Sequence, residues 1–222
     1  MEDGMLLGIL TNLYSLEPHT MISIFDNALR TLFSTPRAQR RQPDMDVNVV
    51  PLSPQEKALA GALMRVNHTG EVCAQALYSA QAWIAKDPKL RTSFLVAQQD
   101  EADHLAWTKV RLDALEARQS LLNPIWYAAS FGLGLLGGCF GDRTSLGFVV
   151  ETERQVEEHL ADHLERLPVN DYASRAIVLQ MQADEVRHGF DAQTLGAAEL
   201  PLPIKIAMRA ASKVMTTVAH FV

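Results

Sequence analysis

The chain has 222 residues, of which 48% are hydrophobic and 21% charged, and its net charge at pH 7 is −6. This balance is typical of one globular domain, and the acidic charge argues against nucleic acid as the main partner. The two cysteines, Cys73 and Cys139, are far apart in the sequence. They argue against an iron–sulfur cluster, a zinc ribbon or a disulfide framework, so any bound metal needs oxygen and nitrogen ligands.

Residues 1–52 are interpreted as an N-terminal extension and linker. The apolar run at residues 5–10 follows two acids, Glu2 and Asp3, and no basic residue precedes it. A signal peptide or a transit peptide is therefore not expected. Residues 34–55 are rich in Ser, Pro, Arg, Gln and Asp, which predicts a loop leading into the folded domain.

Residues 53–222 are predicted to form one all-α domain. Helix signals and apolar periodicity indicate segments at about 53–84, 87–118, 124–141, 142–167, 171–195 and 203–220. Ser53 and Glu56 form a capping box at the first helix start. Asp142 and Asp171 are the expected caps of the fourth and fifth helices, and Gly196 is the expected stop of the fifth.

A five-residue motif, Asp-Glu-x-x-His, occurs at residues 100–104 and again at 184–188. Residues three apart share a helix face, so each motif aims a glutamate and a histidine at one point. Both pairs lie in an apolar stripe that faces the core, where a carboxylate is costly unless it is paired or binds a metal. Two such helices, with two more that each contribute a glutamate, form the six-ligand site of di-iron and di-manganese carboxylate proteins.

The two further glutamates are expected on the first and fourth helices. Glu71 is the only acid between residues 56 and 87. The fourth helix offers four acids: Glu151, Glu153, Glu157 and Glu158. Glu153 is in phase with the apolar positions and Glu157 is the borderline alternative, whereas the other two fall on the face predicted to be solvated. Glu153 also gives an interval of 32 positions to the second motif glutamate, close to the 30 between Glu71 and the first.

Four carboxylates and two neutral imidazoles balance the charge of two divalent cations. Hard carboxylate ligands together with imidazole favour iron or manganese over copper or zinc. Glu101 and Glu185 are expected to bridge the two ions, and Glu71 and Glu153 to bind one ion each.

Four other polar residues accompany this set. Asp100 and Asp184 are candidate acceptors for the N–H groups of the motif histidines, with ordinary surface acids as the equal alternative. His68 and His163 are expected to be surface or hydrogen-bonded residues rather than ligands.

Residues 65–78, Arg-Val-Asn-His-Thr-Gly-Glu-Val-Cys-Ala-Gln-Ala-Leu-Tyr, closely resemble the first signature of the demethoxyubiquinone hydroxylase family. The two motifs resemble later signatures of that family at its spacing, and the similarity is strongest to the bacterial branch, from about residue 21 onward. The resemblance implies a ferritin-like four-helix bundle with a di-iron centre and additional membrane-contacting helices. It also implies an O2-dependent monooxygenase that hydroxylates the ring of a polyprenylated methoxy-methyl-benzoquinol, the penultimate step of ubiquinone biosynthesis.

Transferred residue by residue, the resemblance implies two iron ions as the cofactor. The implied ligands are Glu71, Glu101, His104, Glu153, Glu185 and His188. His159 matches a family histidine near the site that would tune proton or electron delivery. Some members have a tyrosine where this chain has Leu160, so the role of that tyrosine does not transfer.

A polyprenylated substrate lies in a membrane, and two segments are candidates for contact with it. Residues 119–141 contain no charged residue, but Pro124 and five glycines between 132 and 141 argue against a span. An interfacial hairpin with Trp126 and Tyr127 at headgroup depth is expected, and a buried core helix is the alternative.

The last helix has a basic stripe that suits an anionic membrane surface, although a solvated face is the alternative. The stripe consists of Lys205, Arg209 and Lys213. We therefore expect a peripheral membrane protein on the cytoplasmic face. Its expected partners are the quinol substrate, O2 and the membrane surface; other ubiquinone-biosynthesis proteins and a second copy of the chain are further candidates.

Residues 132–137 match the pattern G-x-G-x-x-G of dinucleotide-binding proteins. That motif needs a preceding strand and a βαβ unit, and neither is predicted, so small-residue helix packing is the better interpretation. Two other functions compete with the hydroxylase. One is a ferritin-like iron-storage or peroxide-scavenging protein, and the other is a non-enzymatic membrane scaffold that binds quinone.

Overall fold

The structure is a computed structural model that describes residues 18–47 and 50–222. The described residues form seven helices: α1 (Pro18–Phe33), α2 (Pro54–Ile84), α3 (Pro88–Ala114), α4 (Asn123–Cys139), α5 (Asp142–Arg166), α6 (Tyr172–Thr194) and α7 (Leu202–Phe221). Within these ranges there is no strand, so the predicted all-α class is confirmed. The predictions about a signal or transit peptide concern residues that lie outside the described part.

Four long helices form the bundle. Helix α2 packs along α3, α5 packs along α6, and the two pairs face each other through α3 with α6 and α2 with α5. Helix α4 connects the pairs and lies along α2, while α7 packs mainly on α2 and α1 packs on α2 and α4. This arrangement is the expected ferritin-like four-helix bundle with additional helices on its outside.

The helix ends follow local capping chemistry, with two corrections. The capping box is present, since the Ser53 N–H donates to Glu56 Oε2 over 2.8 Å. Asp171 caps α6 by accepting from the Ser174 N–H at 3.0 Å. Asp142, however, is the first residue of α5 and accepts from the backbone of residues 86 and 87, because the chain enters α5 through Gly141 at φ +98°.

The second correction concerns the end of α3. This helix stops at Ala114 and not at about residue 118, because Glu116 adopts a left-handed conformation with φ +53°. The Ala117 N–H then returns to the Leu112 carbonyl at 2.9 Å, which satisfies one of the last carbonyls of the helix.

Helix α1 was not predicted and lies within the residues interpreted as extension and linker. Its residues Ala28 and Leu32 pack against the cluster formed by α2, α3 and α4. A second set of apolar side chains, spaced four residues apart, is exposed: Met21, Phe25, Leu29 and Phe33. Both sets belong to one broad apolar face with helical spacing, so the sequence did contain a signal for α1.

The charge-free segment forms one helix, α4, so the predicted hairpin is wrong. A Cβ at Gly134 would lie 2.8 Å from the Leu77 carbonyl oxygen, and one at Gly138 would lie 2.1 Å from Ile84 Cγ2. These glycines let α4 approach α2 closely, which confirms small-residue packing. Tyr127 is buried and not at a membrane interface. The opposite face of α4 exposes Ile125, Leu133, Leu136 and Phe140.

Helix α7 is mostly exposed and differs in part from the sequence-based interpretation. Met208 and Met215 are half-buried and Ala219 is buried, whereas Ala207 and Ala211 are exposed. Two members of its basic stripe have acidic neighbours. Lys205 Nζ lies 3.3 Å from Glu199, and Arg209 lies 3.7 Å from Glu158. In the part of the chain described, no helix combines the length and the apolar character needed to span a bilayer.

The interior of the bundle has two apolar clusters, one toward each end. One cluster includes Leu63 and Met64 of α2, Trp107 of α3, Leu160 of α5 and Met181 of α6. The other is formed by residues that include Tyr78, Phe94, Val149 and Ala192. In each of the four helices, the predicted ligand positions fall between a residue of the first cluster and a residue of the second. The apolar clusters therefore enclose a polar layer.

Candidate metal centre

The bundle brings together all six residues predicted as ligands. Each is buried, with an exposed fraction between 0% for His104 and 6% for His188. They form two groups in which one possible ligand atom per residue lies within 4.8 Å of all the others. The first group is Glu71, Glu101, His104 and Glu185, and the second is Glu101, Glu153, Glu185 and His188.

Glu101 and Glu185 belong to both groups, and each divides its two oxygens between the histidines. Glu101 places Oε2 3.2 Å from His104 Nδ1 and Oε1 3.3 Å from His188 Nδ1. Glu185 places Oε1 3.5 Å from His104 Nδ1 and Oε2 3.5 Å from His188 Nδ1. Two carboxylates that each face two histidines have the geometry of bridging ligands, whereas Glu71 and Glu153 each belong to one group only.

The donor set fits two divalent cations. Several buried atoms that point into the layer lack a hydrogen-bond partner: Glu71 Oε2, Glu101 Oε1, Glu185 Oε2 and His188 Nδ1. Buried polar atoms are rarely left unpaired in native proteins, so this concentration indicates a site for a ligand. Oxygen and imidazole donors without thiolate suit iron or manganese. The fold and the cluster are thus compatible with iron binding.

The far nitrogen of each histidine faces an aspartate from the other motif. His104 Nε2 lies 2.9 Å from Asp184 Oδ2, and His188 Nε2 lies 3.1 Å from Asp100 Oδ2. Each Asp-Glu-x-x-His segment therefore contacts the histidine of its counterpart across the bundle. Asp184 is buried, so the surface-acid alternative does not describe its position, and the side chain of Asp100 is 23% exposed.

Burial and neighbouring charged groups shift the pKa values of the glutamates and histidines in the layer. Burial raises the pKa of Glu71 and Glu153 well above the usual range, and for Glu153 the charges of Glu185 and Glu101 add to this effect. Burial opposes protonation of His104, but hydrogen bonds to Asp184 and Glu101 outweigh it and raise its pKa well above 6.5. Protons and metal ions therefore compete for the same atoms, and metal affinity is expected to rise with pH.

Tyr78 is a site residue that the sequence interpretation did not single out. Its buried phenol donates a short hydrogen bond to Glu153 Oε1. Burial and the charge of Glu153 raise the pKa of Tyr78, which keeps the phenol protonated as a donor. Tyr78 lies seven residues, or two helical turns, after Glu71 and therefore on the same helix face. This spacing could have identified it as a site residue.

Asp103 and Arg40 were also missed. Asp103 is buried and accepts from the backbone and side chain of Arg40, which reaches α3 from a loop. Asp103 lies beside His104 in the first motif, and this position could have indicated a role near the centre. The sequence offers no such indication for Arg40.

The remaining predicted polar residues lie away from the six. His159 does not face the layer: positions 153 and 159 are roughly 120° apart around a helix. Its ring packs on His163, with centroids 3.9 Å apart, and burial lowers its pKa to about 4. His68 Nδ1 lies 3.0 Å from Thr108 Oγ1, as expected for a hydrogen-bonded residue.

The acids of α5 outside the centre also have definite positions. Glu151 was placed on a solvated face, but it is 4% exposed because Arg154 and Gln155 donate to its carboxylate. Glu158 is exposed as expected. Glu157 is half-buried and lines a groove without joining either group of possible ligands.

A groove between α5 and α6 leads from the surface to the centre. Its volume is about 540 Å³, and Glu153 and Glu185 are among its lining residues. Val150, Val186 and Phe190 give it apolar walls. Gly189 also lines it, and a Cβ there would meet Glu153 Cβ at an ordinary 3.5 Å. The groove thus reaches the centre from the side of Glu153.

The bundle and its two carboxylate–histidine groups define the class of ferritin-like helical proteins with a buried site that could hold two metal ions. A solved structure with the same fold is a dodecameric thioferritin, the bacterioferritin-related protein from Bacteroides fragilis. It aligns with a TM-score of 0.52 and 16% identity over 73% of this chain and 91% of that chain.

Sequence comparison identifies the family to which the chain belongs. Residues 58–219 match the family model of the ubiquinone biosynthesis protein COQ7. The chain is 62% identical to the 3-demethoxyubiquinol 3-hydroxylase of Polaromonas sp. (strain JS666 / ATCC BAA-500) over 91% of this chain and 97% of that protein. It is 60% identical to the protein of the same name from Variovorax paradoxus (strain S110), over 90% of this chain and 96% of that protein. The chain therefore belongs to the COQ7 family, which confirms the predicted resemblance.

Proposed function

We propose that this protein is an O2-dependent di-iron monooxygenase that hydroxylates the ring of a polyprenylated methoxy-methyl-benzoquinol, the penultimate step of ubiquinone biosynthesis. One observation carries the proposal. Two buried groups of possible ligands share Glu101 and Glu185, and a groove reaches them from one side. The names of the relatives, which match over nearly their whole length, supply the reaction.

In this proposal the six residues would hold two iron ions. Glu101 and Glu185, which belong to both groups, would be shared by the ions, and Glu71 and Glu153 would each serve one. Iron at this position would supply the activation of O2. The protein keeps the Nδ1 atoms of both histidines directed at the ions through the hydrogen bonds of their Nε2 atoms to Asp184 and Asp100. The apolar clusters on either side exclude water from the centre.

The groove between α5 and α6 is the proposed position of the quinol ring. Its lining includes Glu153 and Glu185, two of the proposed ligands, so a ring placed there would lie beside the centre. Its walls, Val150, Val186 and Phe190, suit a flat apolar ring. Hydroxylation places one oxygen atom of O2 in a ring C–H bond and reduces the other to water, with two electrons and two protons from a reductant.

We further propose that the protein binds peripherally to the cytoplasmic face of the membrane, where it meets a prenylated substrate. Exposed apolar residues of α1 and α4 support this, since soluble proteins rarely expose many large apolar side chains together. They include Phe25, Phe33, Ile125 and Phe140. Lys213 on α7 is exposed, and its basic charge adds attraction to anionic lipid. Contacts with other ubiquinone-biosynthesis proteins and a homo-oligomer are proposed as further associations.

A single-turnover experiment tests the activity. The protein is loaded anaerobically with Fe(II), mixed with a short-chain methoxy-methyl-benzoquinol and exposed to O2, and the product is detected by its added oxygen mass. Two Fe(II) ions supply the two electrons that the reaction needs. We expect close to two iron ions per chain and one hydroxylated product. Two iron ions without product would contradict the hydroxylase and favour storage or peroxide scavenging.

Glu185→Ala is the variant with the largest expected effect, because it removes one ligand from each ion. We expect loss of both iron ions and of the product. Glu165→Ala, which changes an exposed acid of α5, is the matched control and should retain both. Full iron loading and activity in Glu185→Ala would overturn the assigned centre.

A further inference from the structure

The loop at residues 34–47, which links α1 to the bundle, lies against the outside of the candidate metal centre. The backbone N–H groups of Gln39 and Arg40 both donate to the buried carboxylate of Asp103, at 2.6 Å and 3.2 Å. Two consecutive backbone donors on one carboxylate fix the path of the loop across α3. Arg40 lies outside residues 58–219, which match the family model.

The side chain of Arg40 contacts the three aspartates of the two motifs. Its Nε donates to Asp103 Oδ2 at 2.8 Å, and its Nη1 donates to Asp184 Oδ2, also at 2.8 Å. Its Nη2 lies 3.6 Å from Asp100 Oδ1. The guanidinium carbon also lies 4.8 Å from the ring centroid of Trp107, within the range of a cation–π contact.

Two of these aspartates are the ones that face the histidines. The same oxygen of Asp184 that accepts from Arg40 lies 2.9 Å from His104 Nε2. Asp100 uses its other oxygen toward His188 Nε2, and that oxygen accepts from Arg187 Nη2 at 2.8 Å, so Arg40 is only a secondary neighbour of Asp100. One aspartate carboxylate therefore lies between the guanidinium and each histidine ring. It also offsets the mutual repulsion of three aspartates held at one place, which a neutral side chain would not do.

We propose that Arg40 is a positioning residue of the metal centre: it fixes the carboxylate of Asp184, and through it the orientation of the His104 ring. The inference rests on the proposed function, because it assumes that the two histidines bind ions. Arginine suits this task because its planar fork donates in several fixed directions, whereas lysine presents one compact charge.

The test is anaerobic titration of the metal-free protein with Co(II), whose visible absorption reports the geometry of its ligands. In Arg40→Gln we expect affinity to fall roughly 10- to 100-fold, as is usual when a residue behind a metal ligand is lost. We also expect the absorption bands to shift, because the His104 ring is less firmly held. Arg40→Lys should give an intermediate loss of affinity.

Arg41→Gln is the matched control. Arg41 is the next residue in the same loop, but its guanidinium pairs with exposed Asp46 at 2.7 Å and not with the motif aspartates. This variant should reproduce the affinity and the spectrum of the original protein. Circular dichroism of each metal-free variant shows whether the helices are intact. If Arg40→Gln does not fold, the comparison of Arg40→Lys with Arg41→Gln decides the question.

The outcomes separate this inference from the proposed function. If the unaltered protein does not bind two Co(II) ions per chain, the proposed centre itself fails. If it binds two, and the Arg40 variants bind them with unchanged affinity and an unchanged spectrum, the centre stands and the positioning role of Arg40 is overturned. Weaker binding with a shifted spectrum only in the Arg40 variants supports it.

Discussion

The two halves of the candidate centre have the same ligands in different surroundings. The half around His104 is closed: the ring is fully buried, its aspartate is buried, and the 34–47 loop covers it. The half around His188 is more open, because its aspartate is partly exposed and the groove between α5 and α6 ends at Glu153. The approximate repeat of a helix pair thus has one closed side and one side that a groove reaches.

Filling the groove gives the largest expected effect on the open half. Gly189→Leu places a branched side chain beside Glu153, where the quinol ring is proposed to lie. We expect kcat/KM for the quinol to fall at least roughly 100-fold, the usual consequence of misplacing a reactant by an ångström. Iron content should stay at the unaltered value, measured by metal analysis of the same sample.

Gly189→Ala is the control for that substitution. Its Cβ would make an ordinary 3.5 Å contact with Glu153 Cβ, so the groove stays open. Alanine is also the better helix former by about 1 kcal/mol, so loss of folding would not explain a loss of activity. Normal turnover by Gly189→Leu would show that the substrate approaches from another side.

Removing the Tyr78 hydroxyl has a smaller expected effect that is confined to the open half. In Tyr78→Phe the carboxylate of Glu153 loses a buried donor, which weakens its hold on one ion only. We expect stepwise Co(II) titration to show one site weakened by roughly 10-fold and the other unchanged. Tyr127→Phe is the control, since that buried tyrosine packs on Val72 and Ala76, outside the centre. Equal weakening of both sites would argue against two distinct halves.

The difference between the halves could not be predicted from the sequence, although the convergence of the six residues could. Helical phase is local, so Glu71 and Glu153 follow from the spacing of apolar residues around them. The contact of Arg40 with Asp184 joins residues 144 positions apart through a loop with no periodicity, and it exists only once α3 and α6 lie side by side. Glu151 shows the same limit, because its burial depends on two neighbouring side chains folding over it.

The peripheral helices were predicted less well than the bundle for a related reason. An apolar segment without charge is compatible with a hairpin, a span or a packed helix, and only the close approach of Gly134 and Gly138 to α2 decides between them. The apolar residues of helix α1 lie on one face at helical spacing, so the existence of this helix could have been predicted from the sequence. Its position against α2 and α4 is a property of the assembled fold.

The smallest expected effect concerns His68, a buried neutral histidine on the closed side, one turn before Glu71. Its counterpart on the open side, three residues before Glu153, is Val150. Burial lowers the pKa of His68 from 6.5 to about 4. Between these values the unfolded chain binds a proton that the native protein does not bind, so the native state is favoured most above pH 6.5. That contribution is lost as the pH falls from 6.5 toward 4, by at most about 1.4 kcal/mol per pH unit.

His68→Gln keeps a polar side chain near Thr108 but removes the titration. In the metal-free protein we expect the free energy of unfolding to fall less steeply below pH 6.5 in the variant, as measured by urea denaturation from pH 8 to pH 5. Above pH 7 the two proteins should have the same slope, because His68 is neutral in both the folded and unfolded states there. Parallel curves over the whole range would mean that His68 takes up its proton in the fold. The closed half would then be open enough to hydrate a charge, and its contrast with the groove side would be weaker than the geometry indicates.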